Sequence, residues 1–444
     1  MRKKPTKLLL VLLICSILLI PARNVYAEED LSEAVETGEE TGAAAEDLDS
    51  ADNTDPEDQD EPDPEAKNGW YDEDGNLYYY VDDVLKTGWL ELEDGTYFLN
   101  EEGGAVRNSW LEEEDNRFYF GDDCRMVSNA WAKDGSAWCY LQADGTAAKE
   151  QWIRWNDAWY YLKADCHMAA NEWQKDSAAW CYLLSSGKAA KNQWISWNGG
   201  WYYLKGNCRM AESEWVKDSK GWCYLGKSGK AYANGWKWIG NTEYKFSSSC
   251  RMVGAWMKVP CVMQNPELPT GCESVALTNA LKYYGFNLSK TTMAASYVAR
   301  STGTNFVTAF HGNPYSSTGG MVCAPGIVIA ANKYLKEKKS TLRGHELTGA
   351  SLWSLCQNHI ANGRPVIIWT SIGYSMNGHV YRSQQYGGRT YYAHTLSHTV
   401  VLSGYDEEQN VVWISDSISG KVKKKYSLVN SVYVKHGKQA VVLY

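Results

Sequence analysis

The chain has 444 residues, 44% of them hydrophobic, with 21 tryptophans, 12 cysteines and a formal net charge of -9 at pH 7. That length allows about three domains at ~150 residues each. The charge is unevenly placed: residues 1–27 carry +5 and residues 28–66 carry -18, leaving +4 on residues 67–444. A nearly balanced folded part offers no basic field for a nucleic acid.

Arg2, Lys3, Lys4 and Lys7 precede an apolar run from Leu8 to Ile20, and Val25-Tyr26-Ala27 is a small-residue cleavage site. Residues 1–27 are therefore expected to be a secretory signal peptide. The run is shorter than the roughly 20 residues that span a bilayer, and no later stretch reaches that length, so no membrane association is expected after cleavage. Residues 28–66 hold 18 acids, no Lys or Arg, and few large apolar side chains. They read as a disordered acidic linker, because such a segment cannot offset its ordering entropy by burial.

Between residues 70 and 256 lie 18 of the 21 tryptophans, and Trp89, Trp110, Trp131, Trp152, Trp173, Trp194, Trp215 and Trp236 recur every 21 residues. Each unit opens on its Trp and runs through a polar turn to a strand such as Trp159-Tyr160-Tyr161-Leu162. A glycine-rich or polar turn and a second short strand follow. One hairpin is not stable alone in water, so stacked copies are expected to form an all-β solenoid. The opening Trp, the Trp-Tyr-Tyr-Leu strand and a late Met (Met126, Met168, Met210) resemble the cell-wall-binding, or choline-binding, repeats of Gram-positive surface proteins. That resemblance implies aromatic cages for quaternary ammonium groups, consistent with the attraction of cations to ring faces. The candidate ligand-binding residues are Trp110, Tyr119, Trp131, Tyr140, Trp152, Tyr161, Trp173, Tyr182, Trp194, Tyr203, Trp215 and Tyr224. Lys245 replaces the aromatic in the last full unit.

Seven cysteines alternate at spacings of 15 and 27 through the units: Cys124, Cys139, Cys166, Cys181, Cys208, Cys223 and Cys250. The underlying period is 42, two unlike hairpins. In an exported chain this favours disulfides, and no Cys-x2-Cys zinc pattern is present. The 15-residue spacings are expected to pair: Cys124 with Cys139, Cys166 with Cys181, Cys208 with Cys223. This leaves Cys250 to reach Cys261 and Cys323 to reach Cys356. The alternative joins Cys139–Cys166, Cys181–Cys208 and Cys223–Cys250.

Residues 257–444 lose the repeat. A strand is expected at 259–264, helices at 272–284, 290–299, 325–336 and 351–361, and strands at 365–369, 399–405, 411–414 and 440–443. Leu268-Pro269-Thr270-Gly271 forces a turn, and Val275, Ala276, Ala280, Leu281 and Tyr284 form one helical face. Cys272 therefore falls in a first helical turn, where the macrodipole and His398 are expected to lower its pKa and favour the nucleophilic thiolate. Gln264, Pro269-Thr270-Gly271-Cys272-Glu273, His398-Thr399-Val400-Val401, Gly404-Tyr405-Asp406 and Asp416 together resemble the C39-like cysteine peptidases. The fold class this implies is an α+β papain-like domain following the β-hairpin solenoid.

Among seven histidines in this region, only His398 opens an apolar β run, and His394 is the runner-up. Two carboxylates compete to orient it. Folding strands 399–405 and 411–414 about residue 408 places 416 opposite 400, whereas Asp406 lies about 26 Å along the strand from His398 at ~3.3 Å per residue. The expected catalytic set is Cys272, His398, Asp416 and Gln264, with no metal or other cofactor. The family usually has proline after this Asp, whereas this chain has Ser417.

The sequence thus divides into a signal peptide (1–27), an acidic linker (28–66), repeats (67–256) and a peptidase domain (257–444). It reads as a secreted, cell-wall-attached cysteine peptidase of a Gram-positive surface. Its expected partners are wall teichoic acid or glycan, choline among the ligands, and a protein or peptide substrate. The rival reading is a catalytically inactive surface binding protein that uses the aromatic repeats.

Overall fold

The structure is a computed structural model describing residues 66–444. The expected signal peptide and all but the last residue of the acidic linker lie outside the described residues.

From Gly69 to Phe246 the chain forms successive antiparallel hairpins, the first extended by a short third strand and the rest built like Gln151–Trp155 with Ala158–Leu162. Asn or Asp at positive φ, as at Asn156 and Asp157, closes a tight turn between the strands. The opening Trp lies on the first strand, and the Trp-Tyr-Tyr-Leu segment is its partner, with Trp152 opposite Tyr161. The expected second strand after the turn is reduced to an isolated bridge, Leu162 to Met168. That short piece steps the solenoid back onto the previous hairpin: Met168 N–H donates to Trp138 O and Met210 N–H to Trp180 O, both at 2.7 Å. Each hairpin therefore satisfies its backbone against the preceding one as well as within itself.

The last hairpin, Gly235–Ile239 with Thr242–Phe246, continues into strand β1 (Met252–Met257). The chain next forms helix α1 (Cys272–Tyr283), helix α2 (Ala324–Glu337), β2 (Gly344–Glu346), α3 (Leu352–Asn358) and β3 (Val366–Ser371). A separate hairpin, β4 (Val380–Tyr386) and β5 (Arg389–His394), precedes β6 (Ser397–Asp406), β7 (Val411–Asp416), β8 (Gly420–Lys425), α4 (Tyr426–Lys435) and β9 (Ala440–Leu443). One nine-stranded sheet runs from the last hairpin through β1, β6, β3, β9 and β2, with β7 and β8 joined to β6. Array and helical region thus share a sheet, and β1 pairs with the last hairpin and with β6. The central strands β3, β6 and β9 are buried on both faces, which explains their continuous apolar runs.

Residues 258–264 are not a strand. Val262 N–H donates to Asn279 Oδ1 and Gln264 N–H to Ser417 O, so side chain and loop replace ladder bonds. The expected helix at 290–299 is one short turn followed by a π-helix over Met293–Tyr297.

Candidate active site and aromatic cages

Cys272 is the first residue of α1, a helix buried along Cys272–Leu281. It lines a cleft of about 250 Å³ together with Gln264, Thr270, Tyr381, His394 and His398. His398 and Asp416 are carried by neighbouring strands. Val401 lies opposite Ser415 and Leu402 opposite Ile414, the register in which 416 falls opposite 400. His398 Nε2–H donates to Asp416 Oδ1 at 2.8 Å, and both side chains are about 99% buried. A carboxylate can only accept, so the contact leaves Nδ1 as the basic nitrogen.

Burial alone would raise the Asp416 pKa. The His398 hydrogen bond and the N–H groups of Ile418 and Ser419 instead hold it well below the carboxylate range. Tyr374 Oη donates to the second oxygen, Oδ2, at 3.2 Å. Gln264 is equally constrained: its Nε2 donates to Pro269 O, and Ser417 Oγ donates to its Oε1, both at 2.8 Å.

Cys272 differs from expectation in one respect. Burial and the adjacent Glu273 carboxylate push its thiol well above the ordinary value. Its Sγ donates to Glu273 Oε2 at 3.4 Å. The helix terminus does not outweigh desolvation in this closed arrangement. Glu273 is itself pushed up to about 7, by burial. It accepts the Val322 N–H, tying α1 to the segment before α2. Sequence reasoning missed Tyr374, Ser417 and Glu273 as partners, although Glu273 stands in the quoted motif.

The competing residues have other surroundings. Asp406 binds Lys245 at 2.9 Å at the junction of array and sheet. His394 lines the cleft but packs against His436, the rings tilted by 37° with centroids 4.4 Å apart.

The aromatic candidates sort into two kinds. Trp131 meets Tyr140 at 5.2 Å and Tyr160 at 5.1 Å, with Trp155 against Tyr140. Trp173 repeats this with Tyr182, Tyr202 and Trp197. Trp215 meets Tyr224 and Tyr244, but Ile239 stands where a Trp would close the ring. Trp110, Trp152 and Trp194 each meet one tyrosine, Tyr119, Tyr161 and Tyr203. Two of these faces are covered from within, Trp110 by Arg117 and Trp194 by Arg251. The aromatics absent from the expected set carry a legible signal: Trp155 and Trp197 close Trp-x-x-Trp strands 42 residues apart, and Tyr160 and Tyr202 stand in the Trp-Tyr-Tyr-Leu strands that pair with them.

The cysteines also differ from the expected arrangement. All eleven in the described residues are free thiols. The 15-residue spacings are not the neighbours: Cys139 shares a buried cluster with Cys166, and Cys223 with Cys250. Cys261 Sγ donates to Asp416 O at 3.3 Å rather than facing Cys250. Cys323 sits by Glu273 and Gln439, whereas Cys356 sits by Glu407. Asp134, Cys139 and His167 bring potential metal-ligand atoms within 4.8 Å of one another. The Asp134 carboxylate there already accepts from Arg117 and His167.

Residues 257–441 match the sequence model of the C39-like peptidase family, and residues 150–165 and 192–207 match that of the cell wall binding repeat of choline-binding type. Over 190 residues, 41% of this chain and 72% of the relative, the sequence is 26% identical to the uncharacterized protein YvpB of Bacillus subtilis (strain 168). Among solved structures, the choline-binding domain of CbpL from Streptococcus pneumoniae is 36% identical, covering 38% of this chain and 86% of that one (TM-score 0.31). A C39-like peptidase from Bacillus anthracis is 27% identical, covering 42% and 94% (TM-score 0.36). The chain joins cell wall binding repeats of the choline-binding type to a C39-like peptidase domain of mixed helix and sheet.

Proposed function

We propose that the protein is an exported, wall-bound cysteine peptidase that hydrolyses peptide or isopeptide bonds at a Gram-positive cell surface. The observation that carries this reading is the 2.8 Å His398–Asp416 pair set beside Cys272 and Gln264 in one cleft. His398 takes the Cys272 proton, the thiolate attacks the carbonyl carbon, and His398 then protonates the leaving amine. Asp416 holds the imidazole and balances its charge. Gln264 Nε2 and the Cys272 N–H stabilise the oxyanion. Water then releases the acyl group from the thioester.

The repeats, residues 67–256, hold the enzyme to wall teichoic acid or glycan. Quaternary ammonium groups such as choline enter the cages around Trp131 and Trp173, where the rings are not already covered by arginine. Residues 1–27 direct export, 28–66 act as a spacer, and 257–444 form the catalytic unit. The test is labelling of the full-length protein with an electrophilic thiol probe, with hydrolysis of wall peptides followed in parallel. Labelling should map to Cys272, and Cys272→Ala should abolish both while remaining folded; hydrolysis retained by that variant removes the assignment. Millimolar choline should release the protein from walls.

A second reading, a surface binding protein with a silent peptidase module, is favoured by one observation: the Cys272 thiol faces Glu273 and is held protonated. Wall binding without any probe labelling of Cys272 selects it.

A further inference from the structure

The array cysteines occupy two positions only. Strand positions Cys139, Cys181 and Cys223 alternate with Phe118, Tyr160 and Tyr202, and turn positions Cys166, Cys208 and Cys250 alternate with Gly145, Gly187 and Gly229. The two alternations are locked together. A turn cysteine follows each strand cysteine by 27 residues, and a turn glycine follows the strand aromatics Phe118, Tyr160 and Tyr202; Tyr97 is instead followed by Cys124.

The turn position is in the left-handed region. Cys166, Cys208 and Cys250 have φ of 64°, 65° and 64°, and the alternate glycines have 80°, 76° and 76°. Glycine adopts this conformation without strain, whereas a residue with a Cβ does not. A cysteine there, repeated where glycine serves in the sister units, places a buried thiol at this point, with Cys166 Sγ facing Ala147 O at 3.9 Å and Cys208 Sγ facing Ala189 O at 4.0 Å.

The stacking bonds from Met168 to Trp138 and from Met210 to Trp180 bring each following turn back beside the preceding strand, and Cys139 shares a buried cluster with Cys166 as Cys223 does with Cys250. A charge on Cys166 raises the Cys139 pKa, and Cys208 acts likewise on Cys181 and Cys250 on Cys223. Cys124 is a built-in control. It has the same turn and a φ of 63°, but the residue 27 before it is Tyr97. A metal does not account for the pattern, since the position of His167 is taken by the cations Arg209 and Arg251 in the other two pairs.

We propose that Cys139–Cys166, Cys181–Cys208 and Cys223–Cys250 close as disulfides in the exported protein, clasping every second hairpin to the next. Each closure passes two electrons to an external disulfide, either a small-molecule disulfide or that of an exported thiol oxidoreductase. One cysteine thiolate attacks it and expels a thiol. The partner thiolate then attacks the mixed disulfide and expels the second thiol, so that two protons leave the protein. Burial pushes the strand thiols up to about 12, 12 and 11. Closure therefore belongs to the time before the hairpins finish stacking, when the thiolate is accessible.

The test refolds the full-length chain in a mixture of oxidised and reduced glutathione, blocks free thiols and maps peptides without reduction. Three linked pairs at 27-residue spacing are expected, with Cys124 and Cys272 alkylated. Links at 15-residue spacing, or strand and turn cysteines alkylated as fully as Cys124, overturn the proposal. A variant carrying Cys166→Gly, Cys208→Gly and Cys250→Gly borrows the sister-unit residue and relieves the strained turns. It should be at least as stable as the parent in reductant and lack the parent's rise in midpoint on oxidation. An equal rise in both proteins also overturns it.

Discussion

Ser417 stands where the family pattern places proline, and its hydroxyl makes a contact that a proline could not. Its Oγ donates to Gln264 Oε1, and its carbonyl accepts the Gln264 N–H. The pair fixes which way the Gln264 amide points, so Nε2 is presented consistently. Ser417→Ala should lower kcat about tenfold with KM little changed, the cost of one hydrogen bond felt mainly in the transition state. A KM effect of the same size with kcat intact would instead assign Ser417 to substrate binding. Glu273 sets the second residue-scale expectation. Its pKa is raised to about 7 by burial, above the ordinary 4.5. Its contribution to stability is therefore present below about pH 4.5 and is lost as pH rises through 7. Above pH 7 its charge suppresses the Cys272 thiolate. Glu273→Gln keeps an acceptor for the Val322 N–H and removes that charge. Alkylation of Cys272 at pH 8 should quicken about tenfold, one pKa unit, and the difference should vanish below pH 6. Equal rates at pH 8 would show that burial alone controls the thiol.

Strands and helices made themselves legible where one periodicity ran unbroken. The expected helix at 272–284 and strand at 440–443 correspond to Cys272–Tyr283 and Ala440–Leu443. The β6–β7 turn also allowed the register to be counted, because position 416 can oppose 400 only if the chain folds near 408. Residues 259–264 misled because the segment is held as a loop tied to Asn279 and Ser417, contacts that no local pattern encodes. The cysteine pairing misled for a related reason: spacing along the chain favoured 15 residues, but the solenoid brings each turn back onto the preceding hairpin. Strand β8 carries Lys421, Lys423, Lys424 and Lys425 around a lone apolar residue, Val422, which hid its periodicity. The pairing of β1 with β6 depends on two glycines. A Cβ at Gly404 would meet Ala255 O at 2.8 Å, and one at Gly254 would meet Tyr405 O at 2.8 Å. These are backbone neighbours that cannot turn aside, so Gly404→Ala must part the strands. It should destabilise by about 2 kcal/mol, the scale of overpacking a tight site. Urea denaturation checks this, and an unchanged midpoint would mean the strands separate freely.

At the scale of the molecule, the repeats and the peptidase domain are joined through hydrogen-bonded strands as well as by chain continuity. The last hairpin of the array and the strands that carry His398 and Asp416 therefore belong to one hydrogen-bonded sheet. Trp236 packs edge-on against Trp413 at 5.6 Å, and Lys245 reaches from the last hairpin to Asp406 and Glu408 at 2.9 and 2.8 Å. Lys245, at the position where the other units carry an aromatic, thus serves this junction. Burial would lower its pKa, but Glu408 and Asp406 raise it above the ordinary 10.5. Its contribution to stability is accordingly present below that value and is lost as pH climbs beyond it. The Asp406 side chain is fully buried, whereas Glu408 is about half exposed. The Asp406 contact is therefore the one that matters for stability, since exposed pairs contribute little. Lys245→Met leaves a buried carboxylate without its cation and should cost about 3–5 kcal/mol. The loss should concentrate at the junction, so a single calorimetric transition should split into separate melts of the repeats and the peptidase domain. Adding Asp406→Asn removes the stranded charge while keeping an acceptor for the Gln409 N–H, and it should recover most of the loss and restore one transition. If the double variant is as unstable as Lys245→Met alone, packing of the lysine stem, not the buried charge, holds the two parts together.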